Sequence, residues 1–155
     1  MPNAPMRLAE LIPQMQACWA SGKTVEFTTH GTSMRPMLGD GVDQVHLSPL
    51  PEKLQKYDLP LYRRDNGQFV LHRIVEVGET FTCIGDNQFE LERGVRQDQM
   101  LAVVTGFIRK GKYHDVKGLQ YRIYCRFWHW TRPFRGFLLG CRNGIARRLK
   151  KICKK

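Results

Sequence analysis

A serine, a histidine and an aspartate stand in three short stretches whose residue types could supply a nucleophile and a base. Ser33 lies in Gly31-Thr32-Ser33-Met34-Arg35-Pro36-Met37-Leu38, His72 in Leu71-His72-Arg73-Ile74-Val75, and Asp86 in Ile84-Gly85-Asp86-Asn87. A hydroxyl is a weak nucleophile until a neighbouring base takes its proton, and histidine is the commonest such base. Pro36 holds the residue before it extended or turning, so Ser33 sits on a bend that a substrate backbone can approach. His72 falls in a run of strand-forming residues, where Val70 and Ile74 share its face. A histidine on that apolar face is a satisfied core residue or a partly desolvated base; the spacing leaves both open. Asp86 follows a glycine on a turn, where acids occur for local reasons alone.

These residues need a scaffold, and the sequence predicts one made mainly of short antiparallel strands. Leu8, Leu11, Ile12, Met15 and Trp19 recur at helical spacing, so a helix is expected over 6–20, with Pro13 as a kink and Gly22 as a stop. Strands are expected over 25–29, 42–47, 59–64, 69–77, 81–84 and 102–109, with 120–125 pairing with the last. Asp65-Asn66-Gly67 is a strong turn signal between 59–64 and 69–77, and that hairpin is the firmest local expectation. The organisation read from this is an N-terminal helical segment, 1–24, a β catalytic domain, 25–125, and a basic aromatic and amphipathic tail, 126–155.

Charge separates the tail from the body. Residues 1–116 hold 13 Lys and Arg against 14 Asp and Glu, whereas residues 117–155 hold 12 Lys and Arg and no acid. The protein is a near-neutral body with a cationic end. Phe134, Phe137, Leu138, Cys141, Ile145, Leu149 and Ile152 mark one helical stripe, with arginines and lysines largely outside it. Phe127, Trp128, His129 and Trp130 precede it. A helix there can pack on the body, rest on an anionic membrane surface or meet an acidic partner; nucleic acid ranks below these. No run approaches the roughly 20 apolar residues of a membrane-spanning helix, and the first ten residues have no signal-peptide core. A cytoplasmic or membrane-peripheral protein is therefore expected. Five cysteines without a CxxC pair point to no structural zinc and a reducing compartment. No cofactor is implied.

The three stretches together resemble the boxes of the type I signal peptidase superfamily, which also includes repressor-like self-cleaving serine proteases. The segment around Ser33 resembles the Ser-Met-x-Pro box. Tyr57-Asp58-Leu59-Pro60 resembles the Gly-Asp-x-Val strand opening that follows it, with Tyr57 in place of the glycine. The segment around His72 resembles the next box, in the form with histidine rather than lysine that marks the archaeal and endoplasmic-reticulum members. Gly85-Asp86-Asn87 resembles the last. The resemblance covers residues 25–108.

The resemblance implies a signal-peptidase-like antiparallel β domain that cuts an extended leader- or signal-like peptide. Ser33 would be the nucleophile, His72 the general base, and Asp86 either the orienter of His72 or a structural support. Gly31, Thr32, Met34 and Pro36 would shape the site, with the Ser33 N–H as an oxyanion donor. Gly31 stands where many bacterial relatives have a serine that supplies a second donor; Thr32, beside the nucleophile, is the candidate to replace it, and the sequence leaves its direction open. In an extended segment His30 and Ser33 point to opposite faces, so His30 is not the expected base, and Asp58 reads as a strand-opening residue. Two rival functions are a self-cleaving regulatory protease, for which no DNA-binding helix pair precedes the β domain, and a non-catalytic adaptor whose basic tail binds membrane or an acidic partner. The sequence leaves the oligomeric state open.

Overall fold

A computed structural model of the protein describes residues 8–136, with side chains from residue 12 onward. The chain forms α1 (Leu8–Ala20), β1 (Val25–Thr28), β2 (Gln44–Ser48), β3 (Pro60–Arg63), β4 (Phe69–Leu71), β5 (Arg73–Val77), β6 (Phe81–Ile84), β7 (Glu92–Val95), β8 (Met100–Arg109), β9 (Lys112–Asp115) and α2 (Leu119–Trp130). It is mainly β, and every strand pairing is antiparallel. The larger sheet runs β1-β2-β8-β3-β4, with β9 also on β8; the smaller runs β5-β6-β7.

The hairpin expected across Asp65-Asn66-Gly67 is present, with Leu61 opposite Leu71 and Arg63 opposite Phe69. The single strand expected over 69–77 is not. It breaks at His72: β4 pairs with β3 in the larger sheet, while β5 pairs with β6 in the smaller. Twisted strands serve two sheets only if the chain bends between them, and His72 occupies that bend.

A second correction concerns 120–125, expected as a strand beside β8. Those residues lie in α2, and β9 takes the place on β8. Tyr121 and Cys125 are buried four residues apart and Leu119, Ile123, Phe127 and Trp130 are exposed, which is a helical rather than a strand period. The helix also runs through the division drawn at 125/126. Residues 132–136 continue as helix; the stripe expected from Phe137 to Ile152, Cys141 and Cys153 lie outside the described residues.

Period-2 alternation divides the core. Leu61 joins one apolar cluster with Leu38, Leu47, Leu59, Val104 and Phe107. Its neighbour Tyr62 faces a second, with Ile74, Phe81, Cys83 and Val103. Each fully buried leucine contributes about 1.5–3 kcal/mol relative to exposure. Met15 of α1 enters the first cluster, and the Trp19 indole N–H donates to the Leu47 carbonyl at 3.0 Å, so the helix is stapled to β2.

Candidate active site

The bend that carries Ser33 is held by its own flanks. Met34, Met37 and Leu38 are buried in the first cluster and fix one side of the turn. The other side is fixed by Gly85-Asp86-Asn87. The Asn87 N–H donates to the Ser33 carbonyl at 2.7 Å, and the Asn87 side-chain amide donates to the Thr32 carbonyl at 3.2 Å. Gly85 is required by this contact, because a Cβ there would lie 2.7 Å from the Ser33 carbonyl oxygen and 3.0 Å from its Cβ.

Gly31 has a different reason. No atom lies within 4 Å of where its Cβ would be, but its φ is +96°. An L side chain is strained in that region. The glycine that replaces the expected oxyanion serine is thus set by backbone conformation. Its N–H donates to Asp40 Oδ1 at 2.8 Å. Thr32 is exposed and Pro36 follows a cis peptide bond.

Ser33 and His72 line one open cleft of about 370 Å³, together with residues of β4 and Asn87. They come from segments 39 positions apart that only the fold brings together. No hydrogen bond joins the two side chains, and the Ser33 backbone N–H makes none to the described residues.

The His72 ring is nearly enclosed, and its Nδ1 faces two oxygens. Tyr62 Oη lies 3.3 Å away and Glu92 Oε2 3.5 Å away. The Tyr62 hydroxyl donates to Glu92 Oε2 at 2.7 Å. Burial, with the Glu92 carboxylate next in effect, raises the Tyr62 pKa far above its usual value, so the phenol keeps its proton. That single proton points at Glu92, so the phenol oxygen can only accept from His72. Both atoms facing Nδ1 are therefore acceptors. The neutral ring takes the tautomer with hydrogen on Nδ1, and Nε2 is left as the basic nitrogen.

Electrostatics keep this imidazole neutral at pH 7. Burial lowers the His72 pKa below its ordinary 6.5, and the nearby Glu92 carboxylate opposes that without cancelling it. Glu92 itself is pushed up by burial but pulled further down by hydrogen bonds from Arg64 and Tyr62, so it is an anion at neutral pH. Arg64 grips it with Nε at 2.7 Å and Nη2 at 2.6 Å.

Asp86 does not hold His72. Its carboxylate is taken by Arg73, with Nε to Oδ1 and Nη2 to Oδ2 both 2.8 Å, and by the Tyr124 hydroxyl at 2.9 Å. Both charged side chains are 2% exposed. Arg73 Nη1 also donates to the Tyr121 hydroxyl at 2.7 Å and Cys125 Sγ at 2.8 Å. The Trp128 indole donates to the Asp86 carbonyl at 2.7 Å. Of the two roles considered for Asp86, this geometry is that of the structural support: it locks α2 to the turn behind Ser33.

Sequence reasoning missed Tyr62, Arg64, Glu92 and Arg73. For Arg73 a signal existed, since an arginine inside the apolar run 69–75 needs a buried acid. Glu92 had none. It stands at the start of a strand that was not expected and looks like any surface acid. His30 is exposed and lines the same cleft, with Asp40 3.9 Å from its Nδ1. Asp58 accepts from the Gln55 N–H at 2.8 Å at the opening of β3. Among the described residues no group of histidine, cysteine or acid side chains has metal-site geometry, and Cys18, Cys83 and Cys125 are free thiols. No protein-family model matches the chain, and no curated protein matches it.

Proposed function

We propose that the protein is a signal-peptidase-like serine endopeptidase that cuts an extended leader- or signal-like peptide with a Ser33–His72 pair. The observation that carries this reading is the polarisation of His72: acceptors hold Nδ1–H on one side, and the residue lines the same cleft as Ser33, whose hydroxyl makes no hydrogen bond to the described residues. The left-handed backbone at Tyr57, φ 79°, also supports it, since the resembled strand opening has glycine at that position.

Substrate recognition follows from the sheet. β4 is an edge strand, and Phe69, Val70 and Leu71 line the cleft. An extended peptide can add to that edge with main-chain hydrogen bonds, its alternate side chains reaching the cleft wall. Its scissile carbonyl then lies between Ser33 and His72.

In the first step His72 Nε2 takes the Ser33 proton as Oγ bonds to the carbonyl carbon. The oxygen becomes an oxyanion and accepts from the Ser33 N–H, a contact of a kind whose loss costs about 2.7–4 kcal/mol. The C–N bond then breaks, His72 gives its proton to the departing amine, and an ester to Ser33 remains. Water attacks the ester with the same proton relay in reverse. Glu92 is a positioning residue: it fixes the ring tautomer directly and through Tyr62, and its charge favours the imidazolium formed on the way.

Hydrolysis of a quenched fluorescent peptide library tests the reading. Ser33→Ala and His72→Ala should each lower turnover at least about a thousandfold, Ser33→Ala while melting like the parent and His72→Ala with some loss of stability from the space its buried ring leaves. Undiminished hydrolysis by Ser33→Ala would overturn it.

A further inference from the structure

The two faces of α2 have opposite fates. Tyr121, Tyr124, Cys125 and Trp128 point inward and close over Arg73 and Asp86. Leu119 is 68% exposed, Ile123 56%, Phe127 59% and Trp130 78%, and Phe134 just beyond is 64% exposed. Among the described residues these are five of the nine large apolar side chains left in solvent. Singly exposed apolar residues need no explanation, but a contiguous stripe on one helix marks a contact surface.

The flank of that stripe is cationic. Arg122 and Arg126 lie on α2 beside it and, with Lys53, Lys56 and Lys117, line an open cleft of about 560 Å³. Asp58 is the carboxylate in that lining, and it is engaged by the Gln55 N–H. No acid occurs anywhere from residue 117 to the end of the sequence.

We infer that the outward face of α2, with the basic cleft beside it, docks on an anionic lipid bilayer. Leucine, isoleucine, phenylalanine and tryptophan on one face, bordered by arginine, are the composition that lies in the plane of a membrane interface. The aromatic rings reach the acyl boundary while the arginines remain at the phosphates. Charge decides between occupants. A second copy of the chain would bring the same uncompensated cations against this face, whereas an anionic bilayer supplies both the apolar layer and the counter-charge. No helix among the described residues is long and apolar enough to cross a membrane. The docking does not depend on the protease reading.

The test is co-sedimentation of the full chain with phosphatidylcholine vesicles, with and without phosphatidylglycerol. Peptide hydrolysis in solution is followed on the same samples, so failure of the surface and failure of the catalytic reading are separate results. The parent should sediment with the anionic vesicles only, and less as salt rises. The triple variant Ile123→Ser, Phe127→Ser and Trp130→Ser should bind at least about tenfold more weakly, as should Arg122→Gln with Arg126→Gln. These side chains face solvent, so melting and hydrolysis of soluble peptide should stay at parental values. Equal binding to neutral vesicles, parental binding by the triple variant, or no binding by the parent would each overturn the inference. So would a parental dimer, seen by ultracentrifugation, that the triple variant dissolves.

Discussion

His72 and Arg73 are neighbours in sequence, yet each meets a different carboxylate. Arg73 turns under α2 and finds Asp86 in a site closed to water, where donors from Arg73 and Tyr124 occupy both carboxylate oxygens. His72 turns toward the cleft and finds Glu92, a quarter exposed, with Tyr62 between them. The first arrangement is saturated, so it can only hold structure. The second uses one ring nitrogen and leaves the other without a hydrogen bond to the described residues. A buried pair with every hydrogen bond made is architecture, and a pair with one position left open beside a cleft can do chemistry.

The largest expected effect breaks the architectural side. Arg73→Ala leaves Asp86 buried without its counter-ion, and folding stability should fall by about 3–5 kcal/mol, measured by thermal or urea melting. A parental melting curve would mean that Asp86 is not held as described. Glu92→Gln addresses the side proposed to be catalytic. Peptide hydrolysis should drop about ten- to a hundredfold with little change in melting. Because the carboxylate raises the His72 pKa, its removal should also move the acidic limb of the pH–rate profile to lower pH. An unmoved limb would assign Glu92 a merely structural role.

Gly85→Ala probes the joint between the two sides. The added methyl group meets the Ser33 carbonyl, so stability should fall by about 1–3 kcal/mol, and turnover should fall with it as the nucleophile shifts. Retained turnover in that variant would loosen the link between Asp86's turn and Ser33. The smallest effect is in the parent's own pH dependence. Hydrolysis needs neutral His72, so kcat/KM should rise with pH along a limb centred below 6.5, the ordinary histidine value. The same depressed pKa makes a stability contribution that is whole above about 6.5 and lost as pH falls through the folded value, because the unfolded ring binds the proton first. A limb above 6.5 would be inconsistent with the enclosed ring.

Much of the scaffold was legible from local pattern. The hairpin at Asp65-Asn66-Gly67 follows from turn chemistry, and β1, β2, β3 and β6 from alternation and β-branched residues. The first turn of the site was legible too, since Ser33 sits among residues that force a bend. The break at His72 was not, because 69–77 has continuous strand propensity and only the pairing of β3 and β6 in separate sheets divides it. Nor was α2, whose aromatic run 121–130 suits either period until Arg73 and Asp86 select the side it buries.

The amino-acid order alone thus specified a mainly β body, a basic C-terminal region, and a serine and histidine of types suited to acyl transfer, since these depend on composition and on contacts a few residues long. The tertiary structure decided which acid serves which base. Glu92 lies 20 positions from His72 and Asp86 only 14, yet the nearer acid is the one turned away. Electrostatic partnership is governed by distance through space and by how completely a carboxylate is already hydrogen-bonded, and neither quantity exists until the chain has folded.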